Sequence, residues 1–141
     1  RHEHTGGGRG GGGGDAVLAA QAMGADFAYI GTRFIATEEA QADPAYKQMI
    51  VEAELDDIKL TRAMTGLDTN MLIPSLVAAG LDPDNLPARG AIAIDKDINP
   101  NAPRRWKDVW SAGHTAQQVD DVPRVQDLVA RLERDYRAVV T

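Results

Sequence analysis

Gly31-Thr32, reached at the end of the apolar run Phe27-Ala28-Tyr29-Ile30, is the pair of residues best suited to hold an anion. Glycine lets the backbone approach a ligand closely, and the Thr32 hydroxyl adds a donor. Backbone N–H groups and a nearby helix N-terminus would complete a phosphate cradle. The competing reading is an ordinary strand-to-loop turn. His114, in Ser111-Ala112-Gly113-His114-Thr115, could serve as an acid, a base or a donor to a ligand at the mouth of such a site. It reads equally as an exposed loop residue. His2-Glu3-His4 has an i,i+2 spacing that suits metal ligation from a strand, but no third ligand is evident and its flanks resemble a charged, floppy terminus. Glu38 and Glu39 are adjacent, so their carboxylates diverge. They suit a helix start after Thr37 better than an acid–base pair. No Ser/His/Asp arrangement, Walker-type loop or zinc-ligand spacing occurs.

The elements that must position these groups follow from local patterning. Residues 1–14 hold eight of the chain's 14 glycines and no apolar residue. Such a block reads as a disordered or non-native tail, separate from the domain at 15–141. Asp15 suits the N-cap of a helix over Ala16–Met23, and Gly24 supplies its stop. That helix is apolar nearly all round and is expected to be largely buried. Phe27–Ile30 lacks period-two alternation, as expected of a parallel strand buried on both faces. A helix feeding such a strand is the second half of a βαβ unit, whose first strand would fall in the glycine block.

Further along, residues 44–54 read as a helix with Tyr46, Met49, Ile50 and Ala53 on one face. Residues 57–64 suit a short extended segment, and 72–79 a short helix with Pro74 in its first turn and Gly80 ending it. Residues 81–103 carry four prolines and read as a loop. Trp106 and Trp110, one helical turn apart, are expected to anchor that excursion by packing. The span 122–140 is the clearest amphipathic helix, with Val125, Leu128, Val129, Leu132 and Tyr136 in a stripe. Asp127/Arg131 and Glu133/Arg137 are i,i+4 pairs outside it.

A length of 141 residues suits one domain, with apolar content of 43% and charged content of 26%. No apolar run approaches the roughly 20 residues that span a bilayer, so no membrane partner is expected. A net charge of −6 argues against a nucleic-acid footprint. The absence of cysteine is compatible with a cytoplasmic location. The expected partner is a small molecule.

Residues 29–40, Tyr-Ile-Gly-Thr-Arg-Phe-Ile-Ala-Thr-Glu-Glu-Ala, resemble the nitronate monooxygenase family, formerly called 2-nitropropane dioxygenase. The likeness continues through Ala45-Tyr46-Lys47-Gln48, Thr65-Gly66, Pro74-Ser75-Leu76-Val77-Ala78-Ala79-Gly80-Leu81-Asp82-Pro83-Asp84-Asn85-Leu86-Pro87, residues 106–113 and residues 127–132. The resemblance implies an α/β fold: the C-terminal part of an FMN-binding TIM (β/α)8 barrel, with a helical excursion after the last strand. It implies oxidation of alkyl nitronates by O₂ to carbonyl compounds and nitrite. It further implies that Tyr29, Ile30, Gly31 and Thr32 line the flavin phosphate site, with His114 beside the cofactor.

Three departures accompany the resemblance. Such a barrel needs about 200 residues or more, so strands one to six are expected to be missing, leaving an incomplete barrel. A partner supplying strands, or a homo-oligomer, could then complete it. The family's catalytic histidine sits in a Gly-Gly-His-Thr-Gly-like motif, echoed at His4-Thr5-Gly6-Gly7 but far closer to the phosphate loop than in the family. That loop's second glycine falls at Gly10, with Arg9 in place of the first glycine and Gly11 in place of an apolar residue. Finally, Ala112-Gly113-His114-Thr115 stands where the family often has Ala-Gly-Gln-Gly. The rival readings are a catalytically inactive fragment and an FMN-dependent enoyl-acyl-carrier-protein reductase.

Overall fold

The computed structural model describes residues 13–86 and 107–140. His2-Glu3-His4, Gly10, Gly11, Trp106 and residues 87–103 of the proline-rich loop lie outside the described residues. The order is helix α1 (Gly14–Ala22), a short helix α2 (Thr32–Ile35), α3 (Pro44–Glu52), strands β1 (Ile58–Thr61) and β2 (Thr69–Leu72), α4 (Ile73–Ala78) and α5 (Val125–Val140). Single 3-10 turns at Leu55–Asp57 and His114–Gln118 complete the set. The fold is mixed α/β.

Local signals account for the helix ends. Asp43 caps α3 by accepting from the Ala45 N–H at 2.8 Å, with Pro44 opening the helix. Both α1 and α4 stop at a left-handed glycine, Gly24 at φ 95° and Gly80 at φ 77°. The N–H groups of Gly80 and Leu81 return to Val77 O and Leu76 O at 2.9 Å, satisfying carbonyls the helix would otherwise leave bare. Those of Gly24 and Ala25 do the same for Gln21 O and Ala20 O.

β1 and β2 form a two-stranded antiparallel sheet pairing Ile58 with Leu72 and Thr61 with Thr69. Arg62 and Asp68 close the connection through two bonds of 2.6 and 2.7 Å. Adjacent strand residues face opposite sides, so β2 serves two apolar clusters. Leu72 joins Ile50, Ala53, Ile58, Trp110, Ala112 and Val119. Met71 joins Met64, Leu76 and Val109. Residues 109–112 run beside β2: the Leu72 N–H donates to Trp110 O at 2.9 Å and the Ala112 N–H to Asn70 O at 3.3 Å. Trp110 stacks on Tyr46 of α3 with ring centroids 5.1 Å apart. Trp110 therefore packs into the core through an added extended segment, while Trp106 and most of the excursion the two were expected to anchor lie outside the described residues.

Five expectations need correction. Phe27–Ile30 forms no β-ladder, and Phe27 and Tyr29 are 93% and 100% exposed. A buried parallel strand needs neighbours on both edges and cover on both faces, and the described residues supply neither. For the same reason α1 is mostly exposed, with only Gly14 buried. The helix also starts earlier than expected: Gly13 is its N-cap, and Asp15 sits in its first turn. Glu39 starts no local helix. Its Oε2 instead accepts from the Val125 N–H at 2.9 Å and caps α5 from 86 residues away. In α5 the Glu133–Arg137 pair forms at 2.7 Å, whereas the Arg131 guanidinium turns to Asp121 at 2.6 Å.

Two outcomes follow. The buried Ser75 hydroxyl accepts from the Trp110 N–H at 3.0 Å and donates to Leu72 O at 2.8 Å. Ser75→Ala strands that N–H, so urea unfolding should show a loss of about 1–3 kcal/mol. The bond from Val125 holds the Glu39 carboxyl below its usual range. Its stabilisation is therefore present above the ordinary glutamate range and is lost as pH falls through the depressed value. In acid-unfolding curves Glu39→Gln should remove that part of the acid sensitivity.

Candidate functional site

A cavity of about 550 Å³ opens between α1, residues 27–33 and the segment 113–119. Gly13, Tyr29, Ile30, Gly31, Thr32 and Gly113 are among its lining residues, together with the apolar Val17, Ala28, Val119 and Leu132. That volume lies within the usual range of small-molecule sites, about 300–1,000 Å³.

Three close contacts bring the lining segments together. Gly14 lies against the backbone of α5, where an added Cβ would meet Leu132 O at 2.4 Å and Tyr136 N at 2.6 Å. Only glycine permits that crossing, and the crossing brings the start of α1 to the cavity. The first-turn N–H groups of a helix have no partner within it and carry a partial positive charge. The Tyr136 hydroxyl bonds Gln21 Oε1 at 2.6 Å, closing the other end of the α1–α5 contact. Across the cavity, Thr32 Oγ1 accepts from the Gly113 N–H at 2.9 Å, joining residues 81 apart in sequence. The Thr32 hydroxyl thus keeps its proton for donation while its oxygen holds the opposite wall.

Gly31 differs from Gly14. Its φ of −102° suits any residue, and an added Cβ would meet only Tyr29 Cε1, at 3.9 Å. Nothing in the described protein requires glycine there, although the residue borders the cavity. Arg33 also lines the cavity, but its guanidinium is turned to Asp121 and to the Ala36 carbonyl. Asp15, in the first turn of α1, accepts from its neighbour Ala16 N–H at 2.9 Å.

Four of the residues singled out from the sequence, Tyr29, Ile30, Gly31 and Thr32, are brought together at this cavity. His114 is exposed, and it is its neighbours Gly113 and Thr115 that form the wall. His4, Gly10 and Gly11 lie outside the described residues. Among the described residues no cluster of three or more His, Cys, Asp or Glu could hold a metal ion, and no helix is long and apolar enough to cross a membrane. Gly13, Gly14 and Gly113 were not separable by sequence from other glycines, since their roles arise from segments that meet only in the fold.

The chain is mixed α/β, with a candidate small-molecule cavity lined by the start of α1. Comparison with known proteins makes the class specific. The model of the nitronate monooxygenase family matches residues 5–135, a match that begins inside the glycine-rich block. A nitronate monooxygenase of Paraburkholderia phytofirmans is 32% identical over 133 residues, covering 91% of this chain and 36% of that protein. A Mycobacterium tuberculosis protein named for monooxygenase activity is 24% identical over 139 residues, covering 90% of this chain and 37% of its own length. Among solved structures, FabK from Thermotoga maritima superposes with a TM-score of 0.62 at 21% identity, over 90% of this chain and 42% of that one. The chain belongs to the nitronate monooxygenase family. It spans a little over a third of the length of the curated relatives it matches.

The two glycines should separate by experiment. Gly14→Ala must push α1 off α5 and is expected to cost about 1–3 kcal/mol in urea unfolding. Gly31→Ala should leave stability unchanged or raise it by about 0.4–1 kcal/mol, because it only restricts the unfolded chain.

Proposed function

We propose that this chain contributes the phosphate-binding end of an FMN site in a nitronate monooxygenase built as a TIM (β/α)8 barrel, acting on small alkyl nitronates and O₂. The observation that carries the reading is the pairing of family membership with a cavity where Gly31, Thr32, Gly113 and the start of α1 converge. The fit is to the phosphate and ribityl end of the cofactor. Gly31 leaves open space where a side chain would stand, and the facing groups are backbone amides and a hydroxyl. The exposed Phe27, Tyr29 and outer face of α1 suit a chain whose remaining barrel strands come from elsewhere, either from further sequence or from a partner or second copy. A cytoplasmic location accords with this reading.

In this site the amides of Gly14 and Asp15 at the start of α1 and those of Gly31 and Thr32 would bind the phosphate, with the Thr32 hydroxyl donating to it, while the Ala16 amide is taken by Asp15 Oδ1. Val17, Val119 and Leu132 give the cavity an apolar lining. His114 lies at the rim, where it would reach only an outer part of the cofactor, and Gly10 and Gly11 would extend the cradle. FMN, when bound, supplies the redox chemistry that joins nitronate oxidation to O₂ reduction. The proton-accepting role stays with His4, on the strength of the family motif alone.

One set of measurements tests the proposal. The protein is expected to bind FMN at least about tenfold more tightly than riboflavin, the loss of one charge-assisted contact being worth that much. Inorganic phosphate should compete. Once its remaining barrel strands are supplied, the flavin-loaded protein should release nitrite and consume O₂ with a propyl nitronate. NADH consumption with an enoyl thioester and no nitrite would instead favour an enoyl reductase. Equal affinity for FMN and riboflavin would contradict the phosphate site.

A further inference from the structure

The start of α1 and the Gly31-Thr32 segment line the cavity from different secondary-structure elements, and one side chain ties both together. Asp121 Oδ1 accepts from Arg33 Nη2, and its main-chain carbonyl accepts from Arg33 Nη1 at 3.2 Å. Arg33 Nη1 also reaches the Ala36 carbonyl at 3.2 Å, which ends α2, so the guanidinium is fixed at the C-terminus of the turn that begins with Thr32. The second carboxylate oxygen, Oδ2, accepts from Arg131 Nη1 at 2.6 Å. Arg131 lies on α5 immediately before Leu132, the residue whose carbonyl touches Gly14. A continuous path therefore runs from Gly31-Thr32 through Arg33 to Asp121, and from there through α5 to the start of α1.

We propose that Asp121 is a positioning residue that sets the separation between the Gly31-Thr32 backbone and the N-terminus of α1, and thereby the width of the phosphate site. The inference rests on the FMN reading given above and adds a residue outside the cavity lining to it. The two arms differ in exposure. The Arg33 side chain is 15% exposed against 33% for Arg131, so the Arg33 arm is the less screened by solvent. A surface pair with no such role is available for contrast: Arg62–Asp68, in the hairpin connection, is more than half exposed on both sides and lines none of the cavity.

The test uses the full chain and reads FMN affinity by quenching of flavin fluorescence, alongside thermal unfolding without flavin. Asp121→Asn keeps the shape and removes the charge, and should weaken FMN binding roughly tenfold or more. Riboflavin affinity should stay close to that of the unaltered chain, because riboflavin has no phosphate for a misplaced cradle to lose. Asp121→Glu should restore part of the affinity, and Asp68→Asn should leave it unchanged. If Asp121→Asn proves unfolded, Arg33→Lys, which keeps the charge but not the fork, should show a smaller loss in the same direction. Lowered thermal stability with unaltered FMN affinity would overturn the inference while leaving the FMN reading intact. Failure of the unaltered chain to prefer FMN over riboflavin would overturn both.

Discussion

The backbone of residues 109–113 is held from three directions, and the rest of the structure is arranged around it. On one side it pairs with β2, on another it receives the Ser75 hydroxyl at the head of α4, and on the third the Tyr46 hydroxyl of α3 donates to Ser111 O. Stacking of Trp110 on Tyr46 makes this same stretch the meeting point of the larger apolar cluster. The segment then delivers Gly113 to Thr32. Core and cavity are therefore mechanically continuous. Buried polar ties of this kind fix one arrangement because each broken bond leaves an unsatisfied group behind.

Much of this was legible where the determinants are local. The apolar face of Tyr46, Met49, Ile50 and Ala53 announces α3, Gly80 announces the end of α4, and the stripe from Val125 to Tyr136 announces α5. Each depends only on residues within a turn or two. Phe27–Ile30 shows the opposite case. Its composition asks for burial, but burial is supplied by neighbours that a local pattern does not contain, and the described residues leave it uncovered. Glu39 shows a third: its charge suits a helix N-terminus, but the helix it caps begins 86 residues away.

The candidate site divides along the same line. Tyr29 to Thr32 could be singled out because an apolar run ending in Gly-Thr carries its own chemical meaning. Gly113 rather than His114 faces the cavity, and nothing in the tetrapeptide around them says which. Gly14 was indistinguishable from the glycines around it, since its importance comes from the α5 backbone 2.4 Å from its missing Cβ. The link from Arg33 to Asp121 likewise joins residues that only the fold brings together. The family relationship, in turn, speaks for a chain just over a third as long as its curated relatives.

The central claim is that the start of α1 and the Gly31-Thr32 backbone together receive the phosphate of a flavin. Amide chemical shifts of the isotope-labelled chain during FMN titration test it most directly. The account predicts that the largest changes fall on Gly14, Asp15, Gly31, Thr32 and Gly113, with small changes at Lys59, Leu60 and other hairpin amides. FMN binding that leaves those five amides unmoved and shifts others instead would contradict it.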